Sequence, residues 1–180
     1  QEVEDNIDIV MVTSDDLGMI DRPLVSPALY RSVIKPRQRR TFDFFRAQTG
    51  AKLYCHTDGA IYPLIPDLID MGIDVLNPIQ WRCKGMDRQL IGRNYGQRLC
   101  FHGGVDNQHT LPFGTVDEVR REVEDNLRIL VAGGGYILAP CHNLQPVTPV
   151  ENILAMYRAA GSLREKIDDS ILSIRGDEEA

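Results

Sequence analysis

Polar residues gather at five points along this chain, and each point follows a short apolar run. His56-Thr57-Asp58-Gly59 follow the second run, and Pro140-Cys141-His142-Asn143 follow the fifth. His56 and Asp58 stand two residues apart, so on extended backbone their side chains share a side. With the thiolate of Cys141 they would supply three ligands of a zinc site that keeps one position open. A histidine hydrogen-bonded to an aspartate, with no metal, is the commoner meaning of a His-x-Asp spacing. Cys141 and His142 are adjacent, so only one of them can face such a site. Cys141 reads as a ligand or a buried thiol, and His142 as a substrate hydrogen-bond donor or a loop cap. Cys55 faces away from His56 and belongs to the core.

The other three points are less specific. Asp15-Asp16 follow the first run. Two close carboxylates shift each other's pKa, which suits acid–base work or a cation, although one of them capping the next segment is equally ordinary. Asn77-Pro78-Ile79-Gln80-Trp81 closes the third run, and Arg82 and Lys84 beyond it either offer charge to an acidic substrate or lie in a surface loop. His102-Gly103-Gly104-Val105-Asp106 closes the fourth. His102 on an apolar run reads first as a satisfied core histidine. The two glycines let the backbone approach a ligand, but they are a weak phosphate signal.

The elements that must position these groups alternate. Apolar runs at 7–12, 52–56, 73–77, 99–102 and 136–139 predict strands, and helical spacing lies between them. The clearest helix spans 116–131, where Val116, Val119, Val123, Leu127, Leu130 and Val131 recur at three- and four-residue steps. Thr115 caps it, Glu118 completes a capping box, and Gly133-Gly134-Gly135 stops it. Ser26-Pro27 and Thr148-Pro149 each fit a cap followed by a first helical position. Alternation of this kind specifies parallel βα units, whose active face lies at the carboxyl ends of the strands. Polar groups follow all five strands, and a purely structural sheet does not need that. An enzyme is therefore favoured over a binding module.

A closed (β/α)₈ barrel takes about 250 residues, whereas this chain has 180 and at most five βα units. The residues ahead of the first strand resemble the end of a helix. Five strands in an open sheet, or the C-terminal part of a barrel, are the two architectures that fit. The chain is one domain over 1–180, with no linker or low-complexity stretch and a short acidic tail at Asp177-Glu178-Glu179. Its net charge of −6 and the lack of a dense basic patch argue against nucleic acid or an anionic membrane as partner. Nothing approaches the run of about 18 apolar residues that spans a membrane. Four dispersed cysteines (55, 83, 100 and 141) and no secretory leader point to the cytoplasm.

Taken in series, the strand-end motifs resemble the uroporphyrinogen decarboxylase superfamily. The series begins with Asp15-Asp16-Leu17-Gly18, Val25-Ser26-Pro27, Tyr30 and Pro36. It continues with His56-Thr57-Asp58-Gly59, Gly72-Ile73-Asp74-Val75-Leu76-Asn77-Pro78 and Phe101-His102-Gly103-Gly104-Val105-Asp106. Gly133-Gly134-Gly135-Tyr136-Ile137-Leu138, His142 and Pro149-Val150-Glu151-Asn152-Ile153 complete it.

The resemblance implies a TIM-like barrel with its pocket at the C-terminal face, of which this chain is the C-terminal portion, incomplete at its N-terminal side. It implies one of two chemistries. Zinc-dependent methyltransferases of the superfamily exchange a methyl group between a small substrate and a corrinoid carried by a partner. They hold zinc through His-x-Cys after one strand and a Cys near the last, so His56 and Cys141 match, while Asp58 stands in place of the middle Cys. The decarboxylases remove acetate carboxyls from a tetrapyrrole without a cofactor, and His142 matches their C-terminal pocket histidine. Asp16 falls near a pocket serine or threonine of that branch.

The methyltransferase branch is the primary expectation, with Zn²⁺ on His56, Asp58 and Cys141. His142, Asp16 and Asp106 are the candidate catalytic groups. Asp15, Gln80, His102 and Gly104 are the candidate substrate contacts. A cofactor-free carboxy-lyase, or an inactive piece that serves as an assembly partner, is the alternative. Open sheet edges would favour oligomers or association with the remaining part of the barrel.

Overall fold

The computed structural model describes residues 7–13, 15–132 and 134–161. The helix end expected before the first strand, Gly133 and the acidic tail lie outside the described residues. Five strands form one sheet in chain order: β1 (Ile9–Thr13), β2 (Lys52–His56), β3 (Val75–Asn77), β4 (Cys100–Val105) and β5 (Tyr136–Pro140). Every neighbouring pair is parallel. The helices α1 (Pro27–Leu29), α2 (Lys35–Gln48), α3 (Ile65–Asp70), α4 (Arg88–Tyr95), α5 (Thr110–Phe113) and α6 (Val116–Leu130) fall between the strands. A π turn over Tyr30–Ile34 links α1 to α2, and α7 covers 150–161 after the last strand. Five parallel βα units joined in this order form part of a TIM-like barrel, with β1 and β5 as the two edges.

Strand alternation sorts the side chains. Leu53, Cys55, Leu76 and Phe101 are buried on one face together with Ile65 and Leu68 of α3 and Ile91 of α4. Each such side chain contributes about 1.5–3 kcal/mol by leaving water. Tyr54, His56, Asn77 and His102 line a cavity on the other face, which is the interior in a closed barrel.

The caps fall where composition demands them. The Ser26 hydroxyl accepts from Leu29 N–H, with Pro27 at the first helical position. Thr115 and Glu118 form the full capping box. Thr115 Oγ1 accepts from Glu118 N–H at 3.3 Å, and the Glu118 carboxylate accepts from Thr115 N–H at 2.7 Å. The apolar stripe of α6 is narrower than its sequence spacing suggests. Val119, Val123 and Leu130 are buried, whereas Val116 and Val131 are exposed at the ends. Thr115→Ala is expected to lower stability by about 1 kcal/mol, read as a shift in the urea midpoint at unchanged slope.

The largest departure from the sequence pattern is in β4. Gly103 and Gly104 do not follow the strand but belong to it, at φ +94° and +95°, and still pair with Leu138 and Ala139 of β5. Among the described residues, no helix is long and apolar enough to cross a membrane.

Candidate functional site

The ends of β1, β2, β3 and β5 bring a compact donor set together. Among the described residues, His56, Asp58 and His142 form the group able to hold a metal, with donor atoms all within 4.8 Å of one another. His56 ends β2, Asp58 sits two residues later, and His142 follows β5. The His56 and His142 rings meet edge to face with centroids 5.9 Å apart. Asp16, from the loop after β1, brings a second carboxylate to 3.8 Å from His56 Nε2, the same separation as Asp58 Oδ1.

Asn77, at the end of β3, decides what His56 presents to that set. His56 Nδ1–H donates to Asn77 Oδ1 at 2.6 Å, since an amide oxygen can only accept. In the neutral ring, Nε2 then carries a lone pair and faces two carboxylates. The 3.8 Å separations are too long for hydrogen bonds. Asp58 Oδ1 is buried and has no hydrogen-bond partner. Burial, and secondarily the Asp16 charge, pushes the Asp58 carboxyl above its ordinary value, while His56 and His142 pull it back. Apart from the Asp58 N–H, which donates to Asp16 Oδ1 at 3.1 Å, acceptors converge here, and a cation or an added proton is what such a gap takes. Tetrahedral zinc with bonds near 2.1 Å spaces its donors by about 3.4 Å, so small side-chain movements would close this set on the ion.

His102 of β4 stands beside the group. Its Nδ1 accepts from Asn77 Nδ2 at 2.5 Å and lies 3.2 Å from the Tyr54 hydroxyl. Burial, reinforced by His56, keeps the imidazole below its ordinary pKa, and burial pushes the Tyr54 phenol up to about 12. The cavity that these groups line, which extends to Met11, Leu144 and Tyr157, has a volume of about 490 Å³.

Several expected site residues lie elsewhere. Cys141 borders the same cavity, but it is not part of the group formed by His56, Asp58 and His142. Its buried thiol donates to the Ile79 carbonyl at 3.5 Å, burial pushes its pKa up, and His142 takes the place beside His56. Asp106 has both oxygens committed. They accept from the N–H groups of Gln108, His109 and Thr110 at the start of α5 and pair with Arg82 at 2.7 Å. Glu122 of α6 completes that buried network by accepting from Asp106 N–H and the Thr110 hydroxyl, and burial raises its carboxyl.

Gln80 uses its amide oxygen to accept from Gly59 N–H. Asp15, in the loop after β1, is bonded to Thr13 and to Gln38 of α2. The Gly104 carbonyl accepts from Trp81 Nε1 at 3.0 Å and Asn126 Nδ2 at 2.8 Å, so Gly104 belongs to the contact with α6. The Trp81 ring carries two guanidinium groups, from Arg82 and Arg88, each 4.5 Å from its centroid.

Sequence spacing overlooked Asn77 and Tyr54 as members of the site. The available signal was an asparagine closing a buried strand, where an unpaired amide would be costly.

The sequence profile described as "Uroporphyrinogen decarboxylase (URO-D)" matches residues 8–163. A methylcobamide:CoM methyltransferase MtaA of Methanosarcina barkeri is 26% identical over 157 residues, covering 87% of this chain and 42% of the relative. A uroporphyrinogen decarboxylase of Synechococcus sp. (strain CC9902) is 25% identical over 146 residues, covering 79% and 39%. Among solved structures, a methyltransferase from Methanosarcina mazei superposes with a TM-score of 0.68 at 24% identity, over 90% of this chain and 44% of that one. The chain thus spans less than half the length of the relatives it matches, and those relatives are enzymes of two kinds. The profile match covers most of the 180 residues, and the chain belongs to the uroporphyrinogen decarboxylase family.

Proposed function

We propose that this chain carries the metal-binding side of a zinc-dependent methyltransferase pocket, in which a methyl group passes between a small substrate and a corrinoid held by a partner protein. The observation that carries this reading is the convergence at His56, whose Nε2 stands 3.8 Å from each of two carboxylates while the buried Asp58 Oδ1 has no hydrogen-bond partner. His56, Asp58 and His142 would hold Zn²⁺, and histidine and aspartate are both ordinary zinc donors. His142 replaces Cys141 in that set because its ring, and not the thiol, reaches the group.

Zinc bound there would supply Lewis acidity toward a thiol or another heteroatom of the substrate. The chain's own groups supply the remainder. Asn77 orients His56, His102 borders the space where a substrate would lie, and Asp16 places a second carboxylate at the rim. The relatives named as methylcobamide:CoM methyltransferases support a cobamide as the methyl carrier. The other wall of the pocket would come from barrel strands outside this chain, since β1 and β5 are both edges.

The second reading is a cofactor-free carboxy-lyase of the tetrapyrrole type. It is favoured by His142 bordering the cavity and by the decarboxylase among the relatives. There His142 serves the substrate and no metal binds. Competition titration of the chain against a chromophoric zinc chelator separates the two readings. About one equivalent of zinc at submicromolar affinity is expected for three protein ligands. No uptake by folded protein would transfer the assignment to the carboxy-lyase.

A further inference from the structure

We propose that Asn77 is the positioning residue of this site, and that its one amide sets opposite tautomers in His56 and His102. The amide has two unlike ends, and the backbone fixes which way it points. Asn77 Nδ2 lies 3.2 Å from the carbonyl oxygen of His102, which can only accept, so the nitrogen must be on that side. A flipped amide would set oxygen against oxygen. With the nitrogen facing His102, the same NH₂ donates to His102 Nδ1 at 2.5 Å. The amide oxygen is left for His56 Nδ1–H at 2.6 Å.

The two imidazoles are therefore held in complementary forms. His56 carries its proton on Nδ1 and offers the Nε2 lone pair to the group with Asp58 and His142. His102, with Nδ1 used as acceptor, carries its proton on Nε2 and borders the cavity as a hydrogen-bond donor. The Tyr54 hydroxyl, 3.2 Å from the same Nδ1, supports that form. A substrate atom meeting His102 must then be an acceptor, such as a carboxylate, an ether oxygen or a thiolate.

Two features of the backbone make the arrangement possible. Register pairs His56 with Asn77 across β2 and β3. Gly103, directly after His102, has no Cβ, and a Cβ there would stand 3.3 Å from Asn77 Nδ2. The glycine in β4 thus makes room for the amide.

The inference rests on the zinc reading only for the affinity arm of its test. Nitrogen-15 correlation spectra of the metal-free chain, recorded at alkaline pH, report which ring nitrogen bears the proton. Wild type is expected to show Nδ1–H for His56 and Nε2–H for His102. Asn77→Asp keeps the acceptor and loses the donor, so His56 should stay Nδ1–H while His102 gains a proton on Nδ1. Asn77→Ala should release both rings to tautomer mixtures and weaken zinc binding by about 10–100-fold, as loss of an outer-shell partner does.

A purely structural Asn77 would shift the melting temperature and leave the tautomers of a still-folded variant unchanged, and that result would overturn the proposal. So would the same tautomer on both rings in wild type. Should Asn77→Ala fail to fold, the wild-type and Asn77→Asp spectra alone decide. The expected tautomers in a protein that takes up no zinc would uphold Asn77 and discard the metal.

Discussion

His142→Ala is expected to abolish tight zinc uptake, while Cys141→Ala leaves the stoichiometry unchanged. Two adjacent residues thus give opposite results, and the reason is what each side chain reaches just after β5. The imidazole of His142 lies with His56 and Asp58, and the thiol of Cys141 is buried against the Ile79 carbonyl. Removing His142 leaves two protein ligands, which seldom hold zinc against water. Removing the thiol deletes one buried sulfur and its weak hydrogen bond, at about 1–2 kcal/mol of stability. Elemental analysis after desalting reads the first effect, and a melting curve reads the second. Zinc lost from Cys141→Ala but retained by His142→Ala would return the thiol to the ligand set.

Gly59→Ala is expected to cost about 3 kcal/mol or more and to disperse the same site. Gly59 has φ +91°, a region that L side chains rarely adopt, and a Cβ there would fall within 2.8 Å of three backbone atoms of Gly18. Strain and overpacking add at such a position. The contact matters beyond its own energy because it joins the loops after β1 and β2. Ala60 N–H donates to the Met19 carbonyl at 2.7 Å, Leu17 N–H to the Thr57 hydroxyl at 2.9 Å, and Asp58 N–H to the Asp16 carboxylate at 3.1 Å. Asp16 and Asp58 ride on this junction. A wild-type urea midpoint for Gly59→Ala, with zinc uptake intact, would show that the loops can part without consequence.

The order of elements was legible because each apolar run is short, carries turn residues after it, and alternates with helical spacing. The cap of α6 was legible because Thr115 and Glu118 act within one turn. Contacts made at long range left no such trace. Asn77 gains its role from partners 21 and 25 residues away, and no local spacing encodes that. Asp106 resembled a pocket carboxylate by its place after β4. Its actual partners, the α5 amides and Arg82, could not be chosen from the many donors nearby in sequence. Gly103 and Gly104 suggested a ligand loop, since a strand that continues through two residues of positive φ is uncommon. The choice between Cys141 and His142 turned on which side chain reaches His56 and Asp58 in the bend after β5. Spacing narrowed it to one of the two without naming which.

Trp81 is the lone tryptophan of the chain, and its position makes it a natural optical probe of one particular region. Its indole N–H is tied to the Gly104 backbone, and its ring is flanked by two guanidinium groups from Arg82 and Arg88. Emission from this ring therefore reports the junction of β4 with α4 and α6. Arg88 is anchored to Asn126 and Asp125 of α6, so loosening of that helix removes a cation from the ring. Fluorescence and far-ultraviolet ellipticity followed along the same denaturant gradient would then resolve whether α6 leaves the sheet as a separate cooperative unit.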